Sequence, residues 1–145
     1  MLNIVGIQDE ILEHLKANMV ELVVEQAIED AWTVKKVDGK LKPYVAVNFG
    51  TPHARATGRT YSGVRTDDYD LIVQVQVIAS KPEIARKITY GSMWDALLGF
   101  TTKWSGDMRQ RPGGMVQAIT TSNGATEAYL YASSFSLTFQ MSETP

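Results

Sequence analysis

The chain contains no cysteine, and this absence limits its chemistry. Disulfide bonds, a thiolate nucleophile and any zinc or iron–sulfur site with cysteine ligands are excluded. His14 and His53 are the only histidines, so histidine-rich metal motifs such as HExxH cannot be formed. Neither a GxGxxG pattern nor a P-loop is present. We therefore expect no metal, no cofactor and no catalytic residues.

Long apolar runs are also missing from the sequence. No stretch approaches the roughly 20 consecutive apolar residues of a membrane-spanning helix, so we expect no membrane association. The first twelve residues lack a basic segment, and Asp9 and Glu10 interrupt their apolar run, which argues against a signal peptide. A net charge of −2 lacks the basic excess typical of general nucleic-acid binders. These features suit an intracellular protein.

What the chain does contain is typical of a globular domain. Its 145 residues are 44% hydrophobic and 21% charged, close to the average for such domains. No linker, internal repeat or low-complexity tract interrupts it. We therefore predict a single domain over residues 1–145 with a proper hydrophobic core.

Two segments have the apolar spacing of helices. The first stripe consists of Ile4, Ile7, Ile11, Leu15 and Met19. The second follows Pro82 and consists of Ile84, Ile88, Gly91, Trp94 and Leu98. Asp95 falls within this second apolar arc, so either the helix rotates near Gly91 or the carboxylate meets a partner.

The remaining apolar segments resemble strands. Val20–Ile28 is ambiguous between helix and strand, and its β-branched valines favour a strand. Alternation with a period of two predicts strands in Tyr44–Phe49 and Tyr69–Ala79, the latter with Leu71, Val73, Val75 and Val77 on one face. Two further strands, Met115–Thr121 and Thr126–Gln140, flank Asn123-Gly124, which favours a two-residue type I′ turn.

The order helix, three strands, helix, two strands predicts the α+β class. We expect a mostly antiparallel sheet of about five strands with two helices packed against it. One face of the last strand should be aromatic, because Tyr129, Tyr131, Phe135, Leu137 and Phe139 share one parity.

Two polar segments without apolar periodicity predict long loops. Thr51–Asp68 joins two predicted strands and would form the tip of a long hairpin, and 101–114 precedes the final pair of strands. Both segments carry arginine with aromatic residues, a combination enriched at interface hot spots. The candidate contact residues are Arg55, Arg59, Tyr61 and Arg65 in the first loop, and Lys103, Trp104, Arg109 and Arg111 in the second.

A catalytic alternative exists in the first loop. His53 shares it with Ser62, Asp67 and Asp68, so a Ser-His-Asp arrangement of a small hydrolase is conceivable. No GxSxG motif surrounds Ser62, and we favour ordinary polar loop residues.

The order of motifs from Lys40 onward resembles that of a known family. The strand KLKPYVAVNFG is followed by the arginine- and glycine-rich loop, the valine-rich strand YDLIVQVQVIAS and a helix ending in WDALLGF. This arrangement is similar to the tail-terminator, or minor tail, proteins of long-tailed bacteriophages, and the resemblance covers nearly the whole chain.

The resemblance implies a structural virion protein without catalytic residues. Such subunits form a ring, typically a hexamer, that caps the tail tube, stops its polymerisation and offers a surface for head-to-tail joining. The implied partners are further copies of the chain, the tail tube protein and the head connector, at the head-proximal end of the virion tail after synthesis in the host cytoplasm. Contact of the loop arginines with DNA in the ring lumen stays open, as does the alternative of another neck component such as a head–tail connector.

Overall fold

The computed structural model describes residues 4–19, 23–26, 42–54, 66–120 and 123–142. The helices are α1 (Ile4–Asn18), α2 (Pro82–Ile88) and α3 (Trp94–Leu97), and a π-helical turn (Thr89–Met93) joins α2 to α3. The strands are β1 (Val23–Gln26), β2 (Tyr44–Phe49), β3 (His53–Ala54), β4 (Thr66–Ala79), β5 (Arg109–Thr120) and β6 (Thr126–Ser142). No helix within these ranges is long and apolar enough to cross a membrane.

All the strands belong to one sheet, with the order β1-β2-β4-β6-β5 and β3 paired to β4. Four neighbouring strands, from β2 to β5 in that order, are antiparallel, whereas β1 pairs with β2 in parallel. The predicted α+β fold, with a mostly antiparallel sheet and two helical segments, is confirmed. About five strands were expected. The sheet contains the four antiparallel strands, the parallel strand β1 and the two-residue strand β3.

One face of the sheet carries the main core. Ile7, Ile11 and Leu15 of α1 are fully buried there, as the helical spacing predicts. The strands contribute Leu71, Val73, Val75, Val77, Phe135, Leu137 and Phe139 to the same cluster. The predicted alternation in β4 and the predicted aromatic parity in β6 are therefore confirmed, and this face is called the helix face below.

The other face of the sheet, called the far face below, carries a second cluster of buried residues. Its members are Tyr44, Ala46, Ile78, Ile119, Ala128, Leu130 and Ala132. Each lies in a strand at a position that alternates with the helix-face residues. Both faces of the central strands are thus apolar toward one end.

The second helical segment does not keep the predicted stripe to its end. The π-helical turn fits an extra residue into the helix, and this rotates the following turn. Ala96 and Leu97 are consequently buried, whereas Leu98 is 45% exposed and Asp95 is exposed. Placing Leu98 in the core was wrong, and rotation near Gly91 explains why Asp95 needs no buried partner.

The second predicted loop, 101–114, is shorter than expected, because β5 begins at Arg109. The register of β5 against β6 shifts between Arg111 and Met115, which marks a β-bulge. Gly113 adopts φ 108°, and a Cβ on Gly114 would stand 2.7 Å from the carbonyl oxygen of Ala132. Glycine is therefore needed at both positions. An edge strand with a bulge tolerates the Pro-Gly-Gly sequence that made this stretch look irregular.

Two other boundaries differ from the predictions, whereas the strand predicted at Val20–Ile28 agrees with β1, Val23–Gln26, over the residues that the structure describes. β4 begins three residues before Tyr69, at Thr66. The two-residue turn at Asn123-Gly124 is wrong, because Thr120 pairs with Thr126 and leaves 121–125 as the connection. A second register shift, between Ile119 and Thr120, accompanies this longer connection, in which Gly124 adopts φ 80°.

Candidate interaction surface

The end of the sheet where β2 finishes and β4 begins, called the loop end below, carries the described candidate residues. Thr66, the first residue of β4, pairs with Ser142, and Arg109, the first residue of β5, pairs with Ser136. Ser105 forms an isolated bridge with Phe139, which places the segment before β5 at the same end. Arg55, Arg59, Tyr61 and Arg65 lie outside the described residues; the described residues on either side of them, Ala54 and Thr66, lie at this end.

Arg109 and Arg111 lie on the far face of the edge strand β5. They pair with Ser136 and Ser134, whereas Gln110 between them pairs with the core residue Phe135. The Arg109 Nε atom is 3.4 Å from an Asp107 carboxylate oxygen, but the Arg109 side chain remains 78% exposed. Such an exposed pair contributes little stability, so Arg109 and the exposed Arg111 remain accessible to a partner.

An open groove of about 510 Å³ runs beside these arginines. It is lined by Gly106, Asp107, Arg109, Gln110, Arg111, Ser136 and Thr138. The hydroxyl of Thr138, one of the lining residues, donates to a carboxylate oxygen of Asp70 at 3.0 Å. The groove thus combines two guanidinium groups and hydroxyl groups with one carboxylate, that of Asp107, and Arg111 is the arginine for which a carboxylate-bearing partner would be suited.

Lys103 and Trp104 form a separate feature in the turn before β5. The Trp104 side chain is 49% exposed, and the Lys103 Nζ atom lies 5.2 Å from the centroid of its ring, a cation–π arrangement. The Lys103 backbone N–H donates to the carboxylate of Glu10 in α1 at 3.2 Å. The backbone N–H of Trp104 donates to the Thr102 hydroxyl at 3.2 Å. The exposed indole is therefore carried by an ordered turn.

An aromatic cluster that the sequence patterns did not predict lies at the side of the second helical segment. Tyr90 is 54% exposed and makes edge contacts with Trp94 and Tyr131, at centroid distances of 5.3 Å and 6.3 Å. The Trp94 indole N–H donates to the Ser133 hydroxyl at 3.1 Å. The spacing of four between Tyr90 and Trp94, within one helix, was the available signal.

The edge strand β5 also exposes apolar side chains beyond its bulge. Met115 is 41% exposed and Val116 is 61% exposed, and because they are consecutive they point to opposite faces of the sheet. Val116 pairs with Tyr131 and therefore extends the aromatic cluster on the helix face. The edge strand thus presents apolar contacts on both faces and arginines on one.

The two histidines have different surroundings. The Nε2 atom of His14 is 2.6 Å from the Ala96 carbonyl oxygen, and its ring stacks on Phe100 at 3.9 Å, so His14 joins α1 to α3. His53 is exposed in β3 and pairs with Asp70. Ser62, the nucleophile of the hydrolase alternative, lies outside the described residues, so that alternative stays untested. The described ranges contain no group of three or more metal-ligating side chains.

A buried polar atom stands out on the far face. Gln76 is only 8% exposed, and its Oε1 atom has no hydrogen-bond partner among the residues that the structure describes. Its cross-strand neighbours are Ala46 and Ala132, whose small side chains leave the amide in an apolar setting. Such an unpaired buried acceptor lowers stability.

No protein-family model matches this chain, and a comparison with curated proteins finds no match either.

Proposed function

We propose that this chain is a ring-forming structural subunit that caps the tail tube of a long-tailed bacteriophage, stops tube polymerisation and offers a surface for head-to-tail joining. The proposal combines the motif order of the sequence, which resembles tail terminators, with the surface described above. It assigns the chain an assembly role and no reaction.

The observation that carries the proposal is the concentration of contact-prone side chains at one end and one edge of the sheet. Arg109, Arg111 and Trp104 gather toward the loop end, and the exposed Met115 and Val116 continue along the same edge strand. Arginine, tryptophan and methionine are enriched in protein interfaces relative to the rest of the surface. A subunit that binds further copies sideways and another component endwise needs such a distribution.

Ring closure requires a heterologous contact, in which two different patches of the subunit meet. The sheet supplies two different edges, since β1 and β5 are its outermost strands. Two different edges permit such a heterologous contact. Capping then uses an end of the ring, and the head connector binds the opposite end.

The test is the mass of the purified protein over a concentration series, alone and with isolated tail tubes, followed by electron microscopy of any large species. We expect closed rings, and we expect them bound to one end of each tube. A protein that stays monomeric at all concentrations and ignores tubes would contradict the proposal. Binding to filled heads but not to tubes would instead support a head–tail connector.

A catalytic role is checked separately with His53→Ala. Because His53 is exposed in the short strand β3, we expect this substitution to leave ring formation and tube capping unchanged. A hydrolytic activity lost in this variant, with assembly intact, would favour the hydrolase alternative.

A further inference from the structure

The outer side of the edge strand β5 is open. All residues of this strand except Ile119 are exposed, including Gly113 and Gly114, whose exposed surface is main chain. β5 ends the strand order, and within the described ranges its backbone pairs with β6 alone. Unpaired N–H and C=O groups at such an edge are a template for an added strand.

The two halves of β5 are protected differently against unwanted pairing. Arg109, Arg111, Pro112 and the bulge lie in the first half, and charge, proline and bulges are the features that keep edge strands apart. The second half, Met115–Thr120, contains neither a charged residue nor a proline. An exposed strand without these features pairs readily with another chain. The second half therefore suits an added strand, and the first half restricts which strand fits.

Arg111 supplies the restriction on the far face. The Arg109 guanidinium is paired with Asp107, whereas the Arg111 guanidinium forms no ion pair or hydrogen bond with a described residue. The groove beside Arg111 is open and leaves room for a carboxylate. The Arg111 carbonyl oxygen accepts from the exposed Gln110 side-chain amide at 2.7 Å, a bond that an added strand can replace. An acidic side chain opposite Arg111 is thus the complementary contact.

Val116 supplies an apolar contact on the helix face. It is 61% exposed and pairs with Tyr131, whose ring contacts that of Tyr90. An aliphatic side chain of the added strand, opposite Val116, would continue this row of apolar residues across the edge. Cross-strand pairs of aliphatic and aromatic side chains stabilise sheets.

The register fixes the spacing between these two contacts. Arg111 pairs with Ser134 and Val116 pairs with Tyr131, three residues away along β6. This separation is about 10 Å, or three residues of extended chain. Residues three apart in a strand point to opposite faces, as Arg111 and Val116 do. The added segment therefore has an acidic residue and an aliphatic residue three positions apart.

The charges around the groove favour a protein segment over a nucleic acid. Asp107 lines the groove, and Asp70 accepts from the lining residue Thr138. These carboxylates repel a continuous row of phosphates, whereas a single carboxylate can contact Arg111 alone. The open main chain of β5 also matches the hydrogen-bonding groups of a peptide backbone.

We infer that the outer edge of β5 accepts an extended segment of a partner protein as an added strand, with an acidic side chain on Arg111 and an aliphatic side chain on Val116. Main-chain hydrogen bonds supply the affinity, and the two side chains supply the specificity. Such an edge site does not require ring closure, and it therefore goes beyond the proposed function.

The probe is the end-capped peptide TTETTVTT, in which glutamate and valine are three positions apart among strand-favouring threonines. It is titrated into isotope-labelled protein at a concentration where the protein is monomeric, and binding is followed by nuclear magnetic resonance. We expect the amide resonances of β5 to shift and the β5 amides to exchange more slowly. The expected dissociation constant is roughly 0.1–1 mM, because a free peptide loses conformational freedom on binding.

Two altered peptides test the side-chain contacts with unchanged protein. TTQTTVTT lacks the charge, and TTETTSTT lacks the aliphatic group. We expect each to bind about three- to fivefold more weakly than TTETTVTT, the range of an exposed ion pair or a cross-strand pair. Equal binding of all three peptides would contradict the two contacts, and this comparison does not depend on the folding of any variant.

A protein variant tests Arg111 directly. We expect Arg111→Gln to weaken binding of TTETTVTT about three- to fivefold and to leave binding of TTQTTVTT unchanged. Arg86→Gln, at an exposed arginine of α2, is the matched control and should bind both peptides like the wild type. Circular dichroism establishes that both variants are folded.

Four further results would overturn the inference. One is the absence of any β5 shift at about 5 mM TTETTVTT. Another is equal weakening of both peptides by Arg111→Gln, which would remove Arg111 from a specific contact. Protection of the β5 amides by rising protein concentration alone would identify a second copy as the occupant. Tighter binding of a DNA duplex of about 20 base pairs, lost in Arg111→Gln, would identify a nucleic acid. None of these results decides whether the chain forms rings, which the mass measurements test separately.

Discussion

The bulge in β5 can be tested by adding one methyl group. In Gly114→Ala the new Cβ would stand 2.7 Å from the carbonyl oxygen of Ala132, whereas ordinary van der Waals contacts begin near 3.4 Å. The neighbouring atom is backbone of β6 and cannot rotate away, so β5 and β6 must separate by several tenths of an ångström. Overpacking of this kind costs about 1–3 kcal/mol.

A gain in the unfolded state partly offsets this cost. Alanine has less conformational freedom than glycine in the unfolded chain, which favours folding by about 0.4–1 kcal/mol. We therefore expect Gly114→Ala to lower the free energy of unfolding by about 1–2 kcal/mol. For a chain of 145 residues this corresponds to a fall in Tm of roughly 3–8 °C.

Gly91 in the π-helical turn is the matched control. A Cβ on Gly91 would have no described atom within 4 Å, and the φ of Gly91 is not in the left-handed region, so no strain opposes the substitution. We expect Gly91→Ala to raise the free energy of unfolding by about 0.5–1 kcal/mol. The two Gly→Ala substitutions therefore have opposite expected signs.

The assay is urea denaturation followed by circular dichroism, at a concentration where the protein is monomeric, because assembly adds to apparent stability. A Gly114→Ala variant as stable as the wild type would refute the described approach of β5 to Ala132. A destabilised Gly91→Ala variant would refute the open surroundings of the π-helical turn.

Three further substitutions test individual contacts. Trp94→Phe removes the indole N–H that donates to Ser133, and we expect the free energy of unfolding to fall by about 1–2 kcal/mol in a denaturation experiment. Adding Ser133→Ala to this variant should lower it almost no further. A full additional loss in the double variant would contradict the hydrogen bond. His14→Ala removes the 2.6 Å contact with the Ala96 carbonyl oxygen, and we expect the free energy of unfolding to fall by about 1–2 kcal/mol. Backbone hydrogen exchange in α1 should become faster. Unchanged exchange in α1 would argue against this link between α1 and α3. Gln76→Leu removes a buried acceptor that has no partner among the described residues and should stabilise the fold by about 1 kcal/mol. A lower unfolding midpoint in this variant would show that the amide is needed.

Periodicity predicted the fold class and the core because burial on one face imposes a regular spacing. The alternation of Leu71, Val73, Val75 and Val77 and the spacing of Ile7, Ile11 and Leu15 both identified fully buried residues. Such patterns need only local spacing, and they do not depend on which element packs against which. This is why the helices and the long strands could be read from the sequence.

Features that depend on interruptions of regular geometry were not predictable from spacing. The extra residue of the π-helical turn shifted the buried positions so that Leu97, and not Leu98, is buried. The Gly113-Gly114 bulge extended β5 back to Arg109 in a stretch whose composition indicates a loop. In both cases a tertiary contact or a change in hydrogen bonding determines which residues are buried or paired. Residue propensities carry no information about either.

Half of the candidate interface residues could be compared with the structure. Lys103 and Trp104 lie in a turn as predicted, whereas Arg109 and Arg111 belong to an edge strand. The change matters because a strand sets the direction and spacing of its side chains, and a loop does not. The cluster around Tyr90 was missed because it joins a helix to β6 across 41 residues of sequence, from Tyr90 to Tyr131.

The connection 121–125 has a practical consequence for imaging. It joins β5 and β6 at the end of the sheet opposite Arg109, and Asn123 and Gly124 are exposed. Arg109 pairs with Ser136 and Thr120 with Thr126, so the two ends of β5 are separated by about 30 Å. A peptide tag inserted in the connection would mark one pole of each subunit without touching the arginines. In electron micrographs of labelled particles, the side on which the tag appears would reveal which way the subunit points along the particle axis.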